Sequence, residues 1–251
     1  MTAYTPDWAA PASVSALITT RNGGVSAPPF GSFNLGAHVG DAPDAVAANR
    51  ALLAARLGAM PVFLEQVHGA TVLDLDSHFD ASAVAPTADA VITSRRLTPC
   101  VVMVADCLPL LLASADGSVV GAVHCGWRGI LGGAAAAAIT AMRAKLAAPC
   151  EIVAYMGPAI GPAAFEVGAE VRELFMAQDR AHAAAFTLHT QTKNRTTYLA
   201  NIYRLLIASI HKYAIANIAI DLRCTFTDTD QFFSYRRNGR TGRQAAVVWI
   251  N

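Results

Sequence analysis

Short apolar runs, bounded by Gly, Pro, Asp and Ser, recur along this chain and predict strands at about 14–20, 61–67, 71–75, 89–93, 100–105, 109–114 and 119–124. Further runs fall at 151–156, 216–222, 231–236 and 244–250. Some are apolar at nearly every position, Cys-Val-Val-Met-Val-Ala at 100–105 among them, which is the pattern of a strand covered on both faces. Longer stretches predict helices: Pro43 to about Leu57 behind an Asp41 cap, an Ala-rich segment from Gly129 to about Ala147, and segments at about 168–178 and 197–213. Gly23-Gly24 reads as a turn and Asn238-Gly239 as a hairpin tip. The order is neither a strict βαβ alternation nor an all-β barrel, so the expected class is α/β (α+β) with mixed sheets. No linker or repeat interrupts it, and residues 1–251 are read as a single catalytic domain.

Composition sharpens this picture. A hydrophobic content of 54%, with a mean hydropathy of +0.37, implies a large core. The formal charge of +1 excludes a global field that would recruit nucleic acid or an anionic membrane, so any anion must be held locally. Five cysteines form an odd set without paired spacing, and the N-terminus lacks a basic-then-apolar signal, so a reducing cytoplasmic location is expected. The most apolar stretches, Pro99–Ala113 and Ile130–Met142, are interrupted by Asp106 or too short to span a bilayer.

Candidate chemistry sits at the ends of three strand-like runs: His68 in Gln-Val-His-Gly, Cys107 in Ala-Asp-Cys-Leu-Pro and His124 in Val-His-Cys-Gly-Trp-Arg-Gly. A sheet that aligned those ends would gather two imidazoles and a thiolate, a donor set suited to zinc with a fourth position left for water or substrate. Each residue also has a bland reading, since buried cysteines and isolated histidines are often core residues. Asp106, Gly126 and Gly129 stand where an ordinary core would continue with Val or Leu, and this favours a site. Glycines at 126, 129, 132 and 133 follow His124, where a helix start with Arg128 would suit an anion; the same glycines would also let a helix pack close to a sheet.

Absent patterns narrow the class. There is no His-X-His pair, so the ligand set of a multicopper oxidase is missing, although copper binds many N/S sites. The zinc-deaminase signature, a Gly-X-Ser-X-Gly elbow and a Walker loop are missing too. A rival to the metal is a Cys107 nucleophile with a His124 base. The two compete for one thiol, and only the metal accounts for His68.

Thr-Thr-Arg-Asn-Gly-Gly-Val-Ser at 19–26, Phe-Asn-Leu-Gly at 33–36, Asn49-Arg50, Gln66-Val67-His68-Gly69, Ala105-Asp106-Cys107, His124-Cys125-Gly126-Trp127-Arg128-Gly129, Met-Gly-Pro-Ala-Ile-Gly at 156–161 and Phe-Phe-Ser-Tyr-Arg-Arg at 232–237 occur in that order. The ordered set, running from Leu17 to Trp249, resembles the bacterial family described as polyphenol oxidoreductase or laccase-like. The resemblance implies a layered α/β/β/α fold like the catalytic domain of the cytotoxic necrotizing factor toxins. It implies a zinc ion at His68, Cys107 and His124, and phosphorolysis of adenosine, inosine or guanosine. Adenosine deaminase and methylthioadenosine phosphorylase side activities are implied as well, as is an alternative Cys/His hydrolase that edits muramyl peptidoglycan precursors. Arg21, Asn34, Asn49 and Arg50 are carried over as substrate-side residues beside Asp106 and Arg128.

Overall fold

The computed structural model describes residues 1–77 and 85–251. In chain order the elements are β1 (Ala3–Tyr4), β2 (Val14–Thr19), α1 (Pro43–Leu57), β3 (Val72–Asp74), β4 (Ala90–Thr93), β5 (Cys100–Val104), β6 (Leu108–Ser114) and β7 (Val120–Cys125). There follow α2 (Trp127–Leu131), α3 (Ala134–Lys145), β8 (Ile152–Met156), β9 (Glu166–Gly168), α4 (Ala169–Gln178), β10 (Phe186–Gln191), β11 (Thr196–Ala200), α5 (Ile202–Ile210), β12 (Ile215–Ile220), α6 (Tyr235–Asn238) and β13 (Gln244–Ile250). They form a four-stranded sheet in the order β1-β2-β13-β5, a six-stranded mixed sheet in the order β12-β8-β6-β7-β4-β3, and a small sheet in the order β10-β11-β9.

Period-two alternation of apolar side chains stacks these into layers. Val14, Ala16 and Ile18 of β2, with Ala246 and Val248 of β13, face Leu111, Ala122 and Val153 of the six-stranded sheet, closing a two-sheet core. The intervening residues Leu17, Val101 and Val247 point the other way, onto Leu53 and Leu57 of α1 with Phe33 and Leu35. On the far side, Leu110, Leu112, Val123 and Ala154 meet Ala138 and Met142 of α3 and Leu205 and Leu206 of α5. Helix, sheet, sheet, helix is therefore the layering, and it explains why the central strands are apolar throughout.

Several sequence expectations need correction. The run 61–67 makes only an isolated bridge from Glu65 to Thr87. The helix expected over 129–147 is two helices, broken at Gly132-Gly133, where Gly133 takes φ 82. The stretch 197–213 begins as β11, and α5 starts only after Asn201, whose side chain accepts from the Arg204 N–H. No strand covers 231–236; Ser234 caps the short α6, so Asn238-Gly239 ends a helix instead of tipping a hairpin. Asp41 does not cap α1, which has Ala42 at that position. Its carboxylate instead accepts from Ser26 Oγ at 2.6 Å and Asn34 Nδ2 at 2.9 Å.

Candidate metal centre and its cavity

Register brings two of the three donors together. Antiparallel pairing of β6 with β7 sets Leu108 opposite Cys125 and Pro109 opposite His124, so Cys107, one residue before β6, lies beside the end of β7. Next to β7 runs β4, preceded by Asp89, whose carbonyl accepts the His124 N–H at 2.7 Å. The Asp89 side chain is fully buried and gathers the third donor. The N–H groups of Val67, His68 and Gly69 donate to its carboxylate at 3.2, 2.9 and 2.7 Å, which curls the loop and holds His68 at φ 61. A non-glycine residue in that left-handed region carries strain, and the hydrogen bonds offset it.

The outcome is one cluster: the ligand atoms of His68, Cys107 and His124 all lie within 4.8 Å of one another. His124 Nδ1 is engaged by Asp89 Oδ1 at 2.8 Å, leaving Nε2 free to act as a ligand. His68 Nε2 lies 3.7 Å from Cys107 Sγ. Burial pushes the Cys107 thiol up, but the charge and hydrogen bonds of His124 and His68 overrun this and bring it down to about 6. Burial pulls His124 down, and the Cys107 thiolate with Asp89 carries it up to about 9. Asp89 itself is raised by burial and lowered further by the His124 bond and the loop amides, so it stays ionised. Cys125, the residue after His124, turns into the apolar core and burial pushes its thiol far up, which separates the reactive thiol of Cys107 from an inert one on the adjacent strand. Gly126 completes the cradle, since a Cβ there would lie 2.6 Å from His68 Cδ2 and 3.0 Å from Cys107 Sγ. Two imidazole nitrogens and an easily ionised thiol fit a zinc ion.

Above this cluster opens a cavity of about 550 Å³, within the roughly 300–1,000 Å³ range of small-molecule sites. Trp127, Phe165 and Tyr235 give it aromatic walls, and Arg128, Arg236 and Arg243 give it positive ones. Arg128 is exposed and lies over the Trp127 ring, 4.2 Å from its centroid. Asp106, at φ 95, also lines the cavity, but both carboxylate oxygens are engaged. Thr225 Oγ1 donates to one at 2.7 Å and the Arg236 N–H to the other at 2.6 Å, so Asp106 anchors the start of α6.

Arg21, Asn34, Asn49 and Arg50 do not line the cavity. Arg21 donates to the carbonyls of Gly31 and Thr229. Asn49 Nδ2 donates to Ser26 Oγ and to the carbonyls of Ser32 and Asn34. Asn34 Oδ1 accepts from the N–H groups of Gly36 and Arg243, both at 2.9 Å. Arg50 donates to the Leu35 carbonyl and stacks over Phe63. Asn34, Asn49 and Arg50 thus stand behind the cavity, Arg21 is bound elsewhere, and His38, Gln66, Tyr235, Arg236 and Arg243 form the cavity surface. Sequence reading missed those five and Asp89. The signal for Asp89 was the acidic residue heading an otherwise apolar strand, and for Arg236 and Arg243 the arginines at 236, 237, 240 and 243 that flank Asn238-Gly239.

The family model described as "Multi-copper polyphenol oxidoreductase laccase" matches residues 15–251. Purine nucleoside phosphorylase YfiH of Shigella flexneri is 47% identical over 247 residues, covering 98% of this chain and 97% of that one. A Haemophilus influenzae protein named purine nucleoside phosphorylase is 41% identical over the full length of both chains. The crystal structure of a Neisseria meningitidis protein of the DUF152 family superposes with a TM-score of 0.92 at 40% identity, covering 100% of each chain. YlmD from Geobacillus stearothermophilus gives a TM-score of 0.83 at 29% identity, covering 96% and 93%.

Proposed function

The chain belongs to the family described as multi-copper polyphenol oxidoreductase laccase, and from that premise we propose that it is a zinc-dependent purine nucleoside phosphorylase. The observation that carries this reading is the His68-Cys107-His124 cluster at the floor of a cavity with both aromatic and cationic walls. The names borne by its relatives agree with it.

In phosphorolysis the bond from the purine nitrogen to C1′ of the ribose breaks, with its electron pair leaving on the base. A phosphate oxygen forms the new bond to C1′, and the proton carried by HPO₄²⁻ ends on the base nitrogen, so atoms and charge balance. Little acid–base work is required; the demand is for positioning, which removes several kcal/mol of barrier. Trp127, Phe165 and Tyr235 offer faces for a purine. The arginines offer charge for phosphate. Asp89 fixes the His124 ring and the His68 loop, so the donor set is preorganised. When bound, zinc supplies Lewis acidity at the cavity floor. Adenosine deamination and methylthioadenosine cleavage are assigned to the same cavity.

A Cys/His hydrolase acting on muramyl precursors is the second reading, favoured by the lowered Cys107 thiol. A thiolate ligand needs the same lowering, and the metal uses both imidazoles as ligands where a Cys/His dyad needs only one base. Polyphenol oxidation has less support, because among the described residues this is the only His/Cys/carboxylate cluster and it offers three ligands. The test is to incubate purified zinc-loaded protein with adenosine, inosine and guanosine, with and without phosphate. Phosphate-dependent release of base and ribose 1-phosphate is expected; free ribose at an equal rate without phosphate would refute the phosphorylase.

A further inference from the structure

Two arginines and a histidine meet at one side of the cavity with, among the described residues, no carboxylate in a salt bridge to them. His38 and Arg243 line it, and Arg50 stands behind His38. None of the three lies within salt-bridge distance of an acidic group among the described residues. Other arginines nearby are used differently: Arg236 donates to the Glu166 carbonyl, Arg195 pairs with Glu166, and Arg21 is spent on backbone carbonyls.

Arg243 is also built in place. Its N–H is held by Asn34 Oδ1 at 2.9 Å, and its aliphatic arm lies so close to Gly36 that a Cβ there would come within 2.8 Å of Cγ. Nη1 donates to the carbonyls of Thr241 and Gly242 at 3.1 and 3.0 Å, leaving Nε and Nη2 without a partner among the described residues. Arg50 is oriented likewise, by Leu35 and by Phe63. His38 is held below its ordinary value, first by burial and then by Arg243 and Arg50, which reports a positive potential there. Two half-buried guanidiniums without a paired carboxylate are costly, and an anion drawn to them would relieve the cost.

We propose that Arg243 and His38, with the charge of Arg50 behind them, form the site for inorganic phosphate, which would make Arg243 its principal binding residue. The assignment rests on the phosphorylase reading and moves phosphate away from the start of α2, whose five residues sum to a weak dipole. It places the anion beside the metal-ligand cluster, since Arg243 lines the same cavity as His68, Cys107 and His124. It also gives a role to the Asn34–Asn49 network, that of holding the Arg243 arm.

The deciding experiment is calorimetric titration of inorganic phosphate into zinc-loaded wild-type protein and into Arg243→Gln, Arg243→Lys and His38→Gln. Wild type should bind, Arg243→Gln should bind about ten- to a hundredfold more weakly, the scale of one or two charge-assisted hydrogen bonds, and Arg243→Lys should recover part of the loss. In turnover, the phosphate KM of Arg243→Gln should rise by a similar factor while the nucleoside KM moves less than about twofold. Unchanged phosphate binding in folded Arg243→Gln would overturn the proposal, as would equal rises in both KM values. Adenosine 5′-monophosphate binding to wild type that Arg243→Gln loses, with no binding of inorganic phosphate, would reassign the site to a nucleotide and also overturn it. Phosphate binding that depends on Arg243 in a protein that nonetheless releases free ribose would uphold the site and sink the phosphorylase.

Discussion

Asp89 shows how much of this centre depends on a single carboxylate. It receives three loop amides and the His124 ring, so one side chain fixes both the position of His68 and which nitrogen of His124 is left for a ligand. Asp89→Ala should weaken zinc binding by roughly 10–100-fold and lower turnover in step, the usual scale for losing an outer partner of a metal ligand. Chelator competition measures the affinity. The visible spectrum of cobalt-substituted protein would report altered ligand geometry, which a purely structural role would leave unchanged. Gly126 tests the same cradle sterically. Its φ of −68 and ψ of 160 suit any residue, so Gly126→Ala brings no backbone strain, only a methyl group against His68 and Cys107. Metal content should fall well below one ion per chain while the far-UV dichroism stays that of wild type; full zinc occupancy would show that the loop simply moves aside.

Among the elements, the central strands were legible because burial on both faces leaves an unbroken apolar run, and the clustering of His68, Cys107 and His124 was legible because each ended such a run. What escaped was set by tertiary neighbours. The run 61–67 is apolar because Leu64 joins the two-sheet core, yet it lacks a partner strand, and apolarity alone does not separate a packed loop from a strand. Residues 186–200 hide a hairpin whose faces are both largely polar, so no alternation marks it; Asn201 at the head of α5 was the available boundary signal. Asp89 and Arg243 take their roles from residues far away in sequence, which local pattern does not register. The glycines after His124 were left between anion binding and close packing, and Gly126 lies closest to the donors. A close helix–sheet contact lies instead at Gly121 in β7, where a Cβ would meet Met142 Sδ of α3 at 3.1 Å and Ile92 Cγ2 of the neighbouring β4 at 3.0 Å. Gly121→Val should therefore destabilise the protein by about 1–3 kcal/mol through overpacking, despite the better strand propensity of valine. Denaturant unfolding measures this, and a stability equal to wild type would mean that α3 rides on the sheet more loosely than these distances require.

At the scale of the whole molecule, the layers must be fastened to one another without disturbing the cavity, and charged clusters at the sheet edges do this. At one edge Tyr4 and Tyr155 donate to Asp221, which also pairs with Arg223, joining the N-terminal strand to the six-stranded sheet. At the other, Lys145 at the end of α3 donates to Asp74 and reaches Asp76 at 2.7 Å, while Arg95 approaches Asp76 from the exposed side. Burial alone would raise the Asp76 carboxyl, but Lys145, Ser94 and Thr93 hold it far below the ordinary carboxylate range. A depressed folded value gives stability that is complete above about pH 4, the unfolded carboxylate value, and is lost as pH falls and the folded group takes up its proton. Asp76→Asn should accordingly lower the melting temperature by a few degrees at pH 7, corresponding to roughly 1–3 kcal/mol for hydrogen bonds to a charged group. The gap between variant and wild type should narrow progressively below pH 4, because the unfolded carboxyl then takes up a proton that folding must expel, and it closes only where folded Asp76 is itself protonated. Asp221, at the opposite edge of the sheet, titrates alike in both proteins and cancels in the comparison. Melting curves recorded by dichroism from pH 7 to pH 2.5 would test this, and a constant offset across the range would show that the Asp76 cluster stabilises the edge by shape and not by charge.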